Sequence, residues 1–394
     1  MNHKIQARKN LKWLLAVKPF ASVGLTAALL VPFFDQNGLK LTDIFHLQMI
    51  FSVFVIAWEL PSGRLADTFG RAKSVIFGAL CTLLGFGVYA ASHHFALFMV
   101  SEILLAIGFG LMSGADTALG YESLVVLGQE NQFRKWRQRS QMIAFAATGV
   151  SAALGSLLAS LLSIRFVFAL EGLTSLVALY CALHLHDMPH AASHKIDVRK
   201  IRHVVWQDIM KRREVWSLAL LSSALNAATY YGFWLSAGLY ARAGIPLALF
   251  GLLAFSRDAW RSLLSHHYKK TPGTDRQQMT VYALLTGVVY LVLALHAWAF
   301  LWIVLAHDAL QVLHIPIIEH RLNAAFESGN RALLNSALNF GRRAGYVLLA
   351  PFIGYFWDHQ SHSRALVWIG LLLGGFALFA LKLVPHKALQ ESHD

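Results

Sequence analysis

Eleven ionisable side chains stand inside long apolar runs: Lys18, Glu102, Asp116, Glu171, Arg257, Asp258, His307, Asp308, His314, Arg342 and Arg343. Charge in hydrocarbon is costly, so such residues pair with one another or line a path for a solute or an ion. Depth sorts them. Lys18 lies roughly 10 Å into its run at 1.5 Å per residue, within reach of the headgroups. Arg342 and Arg343 lie roughly 16 Å deep, too far to snorkel. Adjacent helical residues point about 100° apart, so these two arginines face different surroundings, and one of them is expected to meet an acid on a neighbouring helix. Guanidinium matches carboxylate and phosphate geometry, so Arg257, Arg342 and Arg343 suit an anionic or zwitterionic solute. A second reading has Asp258 and Asp308 neutralising these arginines as structural ion pairs. Asn226, Tyr230 and Tyr231 add hydrogen-bonding groups for the same solute.

His307, Gln311 and His314 follow at spacings of four and three, which places them on one helix face. Histidine titrates near neutral pH, and burial brings a carboxylate towards the same range. His307 and Asp308 therefore form a candidate proton carrier, with His314, Asp258 and Glu102 as further candidates. The alternative is a hydrogen-bonded packing stripe in which Asp308 neutralises Arg342 or Arg343. Asp116 and Glu171, nearer run ends, read as members of structural pairs. His307, Asp308 and His314 could also ligate a metal in an intramembrane enzyme. There is no H-E-x-x-H, however, and no third strong ligand is placed, so neither metal nor cofactor is expected. Cys81 and Cys181 sit in apolar runs and build no disulfide or zinc pattern.

The elements that must position these residues are legible in the composition. The 394 residues are 56% hydrophobic and 14% charged, with a mean hydropathy of +0.51. Water-soluble domains carry about 25% charged residues, so a soluble globule is excluded. Apolar runs fall at about 11–33, 42–62, 73–91, 95–118, 140–163, 166–186, 215–240, 246–264, 279–296, 298–318, 332–356 and 364–384. Each is near the ~20 residues a membrane helix needs. A polar stretch divides them six and six. The expected organisation is an N-terminal bundle (1–186), a cytoplasmic linker (187–213) and a C-terminal bundle (214–394). Within the linker, 201–210 reads either as an amphipathic surface helix or as solvated chain.

The net charge of +13 has a topological meaning. With the N-terminus inside, 26 Lys and Arg fall in cytoplasmic positions and four outside, as the positive-inside rule requires. Both termini are then cytoplasmic, and no nucleic-acid partner is implied. The basic N-terminus lacks a small-residue cleavage site, so the first run reads as a span and not as a signal peptide. Gly110-x-x-x-Gly114 and Gly370-x-x-x-Gly374 have the spacing of helix-packing seams.

Between the second and third runs the chain reads Gly63-Arg64-Leu65-Ala66-Asp67-Thr68-Phe69-Gly70-Arg71-Ala72-Lys73. Physically, Gly63 suits a close helix approach, and Asp67 suits the amides of a helix N-terminus. The segment closely resembles the G-x-L-A-D-r-x-G-r-K signature of the major facilitator superfamily, in the loop where that family carries it. Gly120-Tyr121-Glu122-Ser123-Leu124 and Arg331-Ala332-Leu333-Leu334-Asn335-Ser336 also resemble segments of bacterial members. The resemblance implies two pseudo-symmetric six-helix halves around a central cavity, working by alternating access. It further implies that Gly63, Asp67, Gly70, Arg71 and Lys73 form a cytoplasmic latch, with Asp67 as the acid and Arg71 its partner, packed against the eleventh span.

Departures narrow this reading. The matching loop of the second half, Ser265-His266-His267-Tyr268-Lys269-Lys270, keeps positive charge but lacks the glycines and the acid. Leu104 stands where drug/proton antiporters carry an arginine, and Gly149 and Gly155 lack a Gly-Pro pair. The resemblance thus implies a monomeric, multi-pass, proton-coupled carrier of the cytoplasmic membrane, in contact with lipid. Its solute would be a small organic anion or zwitterion, such as a carboxylate metabolite or siderophore. Export is the first direction suggested by the signature loop, and import by proton symport the alternative. A multidrug antiporter, an intramembrane enzyme and a receptor without flux are the rival classes.

Overall fold

In hydrocarbon every backbone polar group must be satisfied within its own segment or a closed barrel, so apolar runs of this length become helices. The computed structural model describes residues 2–188, 211–267, 273–295, 300–324 and 331–389, and the described residues form helices without strands. Eight helices precede the central segment: α1 (Asn2–Ala21), α2 (Leu30–Gln36), α3 (Leu41–Phe69), α4 (Arg71–Ala91), α5 (Phe95–Met112), α6 (Ala115–Leu127), α7 (Phe133–Leu161) and α8 (Ile164–Ala182). Six follow it: α9 (Arg213–Arg242), α10 (Phe250–His267), α11 (Asp275–Leu295), α12 (Phe300–Ala324), α13 (Arg331–His359) and α14 (His362–Leu383). Among the described residues, seven stretches are long and apolar enough to cross a membrane. The expected linker lies mostly outside the described residues.

Two of the apolar runs are broken. The first is interrupted at 22–29 between α1 and α2, and the fourth at Ser113 and Gly114, where Gly114 takes a φ of +87°. Contacts divide the chain into two units, Met1–Ser193 with Ile245–Phe255, and His194–Gly244 with Ser256–Asp394. The stretch 245–255 groups with the first unit. The reason is close packing: Gly251 lies against the Ala152 carbonyl with no room for a side chain.

In the first unit α4 meets α5 at bare backbone. A methyl at Gly78 would sit 2.8 Å from the Gly108 carbonyl, and one at Gly108 would sit 2.9 Å from that of Gly78. Such contact is the usual source of membrane helix association. The seam is not the expected Gly110/Gly114 pair, because Gly110 faces the Trp58 ring and Gly114 sits in the break with open space around it. Rings from several helices, Phe33, Phe34, Tyr89, Phe98 and Phe168, stack into one core. In the second unit the Gly370/Gly374 seam forms as expected, against Gly287 of α11. Large apolar side chains such as Phe145, Leu161, Leu348 and Phe379 point outward, as they do in helices solvated by lipid.

Candidate functional site

The second unit buries a polar network that the sequence places on separate helices. Its centre is an ion pair between Arg257 of α10 and Asp308 of α12. Nε donates to Oδ2 at 2.8 Å and Nη2 to Oδ1 at 3.2 Å, a two-pronged fork. Arg257 is 7% exposed and Asp308 fully buried. The guanidinium also lies over the Phe233 ring and reaches the Tyr240 hydroxyl. A planar cation fixed on three sides in a dry interior is preorganised for one planar anion. That anion is the Asp308 carboxylate.

One turn further along α12 the network continues. Arg261 donates to Gln311 Oε1 at 3.0 Å, and Gln311 Nε2 lies 3.4 Å from Asn226 Oδ1. Asn226 Nδ2 donates to the Ser222 carbonyl at 2.8 Å and lies 3.4 Å from His314 Nε2. His314 Nδ1 lies 2.7 Å from the Leu310 carbonyl. Nδ1 therefore carries the proton and Nε2 is the acceptor. His307 packs at 4.9 Å against the Tyr290 ring. It is 3% exposed, and its Nε2 has no hydrogen-bond partner among the described residues.

Of the residues expected to bind solute or carry protons, Arg257, Asn226, His307, Asp308 and His314 are thus brought together. Others are not. Tyr231 gives its hydroxyl to the Tyr346 carbonyl at 2.5 Å, which ties α9 to α13 and leaves no donor for a solute. Tyr230 is exposed, and its ring packs at a tilt 5.9 Å from that of Tyr346. Asp258 is exposed and pairs with Arg261 one turn on, away from the buried fork. Arg343 is half-buried, and the side chain of Arg342 lies outside the described residues. Among the described side chains Asp308 pairs with Arg257, because α10 supplies a guanidinium that reaches both carboxylate oxygens.

Glu102 lies in the other unit. It accepts from Tyr89 at 2.6 Å and Gln48 at 2.5 Å and joins no part of the network above. Asp116 pairs with Lys18 at 2.8 Å, so Lys18 is bound inside the unit and does not snorkel. Glu171 makes no ion pair among the described residues; it accepts the Thr26 amide.

The signature loop turns out to be the junction of two helices. Asp67 ends α3, largely exposed, 3.4 Å from Arg71, and Arg71 Nε lies 3.2 Å from Glu122 Oε1 on α6. The N-terminal amide of α4, on Ala72, is accepted at 2.7 Å by Asp187, not by Asp67 as expected. Asp67 belongs to the helix before Gly70 and cannot turn back onto it. Gly63 is exposed with open space about it, so it serves no close helix contact among the described residues, and Lys73 is exposed. Glu122 and Asp187 are the partners the sequence reading missed. Glu122 sits in the Gly120–Leu124 segment, and Asp187 is the first acid after the sixth run.

This junction, with its glycine turn, its acid and its two-acid arginine, lies within the residues 14–318 that match the family model of the Major Facilitator Superfamily. The chain belongs to that superfamily. It is a multi-pass membrane transporter and not an enzyme. As a superfamily member it is similar in fold to the nucleoside transporter NupG, with a TM-score of 0.76, 10% identity, and 96% of this chain and 98% of that one covered. It is also similar to the peptide transporter POT in complex with sulfate, with a TM-score of 0.68, 14% identity, and 97% and 96% covered. The D-xylose-proton symporter gives a TM-score of 0.64, 17% identity, and 98% and 99% covered. These likenesses concern the fold. No curated protein sequence matches the chain.

Proposed function

We propose that this superfamily member is a proton-coupled carrier of a small organic anion or zwitterion. It would work as a monomer by alternating access, with twelve crossings of the cytoplasmic membrane and both termini inside. The observation that carries the reading is the buried Arg257–Asp308 fork. In the unloaded carrier each charge compensates the other, and a lone buried charge would be costly. A proton reaching Asp308 cancels its charge and leaves Arg257 seeking another planar anion. A solute carboxylate supplies that anion. Proton and solute then stabilise each other's binding, which is positive linkage. His307, the residue before Asp308 on α12, would pass the proton to it; its Nε2 has no hydrogen-bond partner among the described residues.

Co-binding means that the two travel in the same direction. Uptake by symport therefore fits this pair better than the export suggested by the signature loop, which needs proton and solute to compete. The proton-driven sugar carrier among the similar folds is named as a symporter, which agrees in kind. Proteoliposomes with an imposed pH gradient and a panel of carboxylates and amino acids provide the test. A carboxylate should accumulate in the compartment the protons enter, and Arg257→Gln should not bind it. Accumulation against proton flow would establish export. Transport of lipophilic cations alone would remove the anion site.

We also assign the α3–α4 junction as the conformational latch, with Gly63, Asp67, Gly70, Arg71 and Lys73 as its elements. Asp67 and Arg71 form an exposed pair, worth about 0–1 kcal/mol. Asp67→Asn should therefore leave thermal unfolding nearly unchanged and slow transport, because it removes one charge from the closed-state contact. Flux at the wild-type rate in purified Asp67→Asn would show that Asp67 has no part in the latch.

A further inference from the structure

The interruption of the first apolar run is fastened by two neighbouring helices. Glu171 of α8, 3% exposed, accepts the Thr26 amide at 2.9 Å and also the Leu25 amide and the Thr26 hydroxyl. On α7, Ser151 accepts the Gly24 amide at 2.8 Å, and Thr148 donates to the Ser22 carbonyl at 2.6 Å. Gly155 of α7 lies against the Leu25 carbonyl so closely that no side chain would fit. The segment is held, not merely frayed.

Glu171 is a buried carboxylate held by N–H and O–H dipoles. The charges on the helices around it are engaged elsewhere or lie at helix ends. Lys18 of α1 pairs with Asp116, and Arg165 of α8 binds the Ala90 and Ser92 carbonyls and Asn37. Asp35 on α2 is exposed, and Glu102 is bonded to Tyr89 and Gln48. Arg71 and Lys73 stand in the first turn of α4, and Arg134, Lys135, Arg137 and Arg139 in the first two turns of α7.

The hydrogen bonds define two alternatives. In an unbroken helix each amide goes to the carbonyl four residues earlier, so Leu25 would bond Ala21 and Thr26 would bond Ser22. In the broken form Glu171 takes both amides and Thr148 takes the Ser22 carbonyl, so the polar groups are satisfied there too. A carboxylate is an acceptor only and suits a cradle of donors; a carboxylic acid has an O–H to place and fits that cradle poorly. The geometry points to Glu171 as a second proton-binding site. Charged, it keeps the first run interrupted; protonated, it releases residues 22–26 to close into helix. This rests on the first unit alone and stands apart from the Asp308 proposal. It gives the carrier a two-state element biased by one proton.

Spin labels at Lys9→Cys and Gln36→Cys, in a Cys81→Ser/Cys181→Ser background in nanodiscs, test it. With residues 22–26 helical, α1 runs on to Thr26, and the distance between positions 9 and 36 takes a new value set by that extension. Between about pH 8 and pH 5, a second distance population should grow at that value by at least about fivefold relative to the first. Glu171→Gln should show the low-pH distance at every pH, whereas Asp308→Asn should keep the pH response. Thr148→Val, which removes the hydroxyl holding Ser22, should move the transition to higher pH and serves if Glu171→Gln does not fold. A single distance at both pH values in the parent protein would overturn the proposal. So would a pH response in Glu171→Gln equal to the parent's, or one lost in Asp308→Asn with the Glu171 cradle intact.

Discussion

Asp308→Asn should abolish solute uptake driven by a pH gradient and spare solute exchange at equal pH on both sides. The asparagine fills the same space and still accepts a hydrogen bond from Arg257, but it binds no proton. The variant is a permanent copy of the protonated carrier, with Arg257 open to a solute carboxylate. It can shuttle loaded in both directions, which exchange requires. It cannot restore the unloaded fork that returns the carrier, so the gradient has nothing to act on. The same substitution removes one member of a buried pair, a change that costs about 3–5 kcal/mol when the other charge is left behind. Thermal unfolding and monodispersity must accompany the flux. Arg257→Gln/Asp308→Asn should regain most of that stability while binding no solute, since replacing both partners leaves no uncompensated charge. Gradient-driven uptake at the wild-type rate in both Asp308→Asn and His307→Gln would end the coupling proposal.

The face that carries this chemistry was legible in the sequence, and its partner only as one of three arginines. The spacing of His307, Gln311 and His314 on a helix depends only on 3.6 residues per turn, so the stripe was readable and α12 presents it. That Asp308 meets Arg257, 51 residues earlier, depends on which helices are neighbours, and helical period carries no information about that. The α13 arginines were the nearer guess by depth, but depth fixes height in the membrane and leaves the neighbour open. The two breaks show a similar limit. Ser22 and Thr26 are weak helix breakers and Gly24 a stronger one; the polar groups of 22–26 are taken up by Glu171, Thr148 and Ser151 on α7 and α8. A hydropathy pattern therefore reads one continuous run where the structure has two helices. The signature loop was recognisable because its glycine and its charges are local. Its cap was missed because Asp187 arrives from 115 residues away.

That cap makes Gly70→Ala the second substitution with a large expected effect. Gly70 joins α3 to α4 at φ +110° and ψ 145°, a region essentially closed to residues with a Cβ. Forcing alanine there costs about 1–3 kcal/mol in backbone strain alone. The added methyl would also overlap the Asp187 carboxylate, which accepts the Ala72 amide at 2.7 Å. Displacing a capping acid removes about 1 kcal/mol more. Arg71 follows directly, and its contacts to Asp67 and Glu122 depend on the angle at which α4 leaves the turn. Gly70→Ala should therefore lower the unfolding temperature and suppress transport more strongly than Asp67→Asn does. Asp187→Ala separates the two causes, since it removes the cap and leaves the backbone unstrained. It should reproduce the smaller part of the stability loss. Were Gly70→Ala as stable as Asp187→Ala, or the parent, the turn would not require glycine. If instead stability falls but transport survives in the folded fraction, the junction is a structural hinge, and the latch must be sought in Arg71 and Glu122 alone.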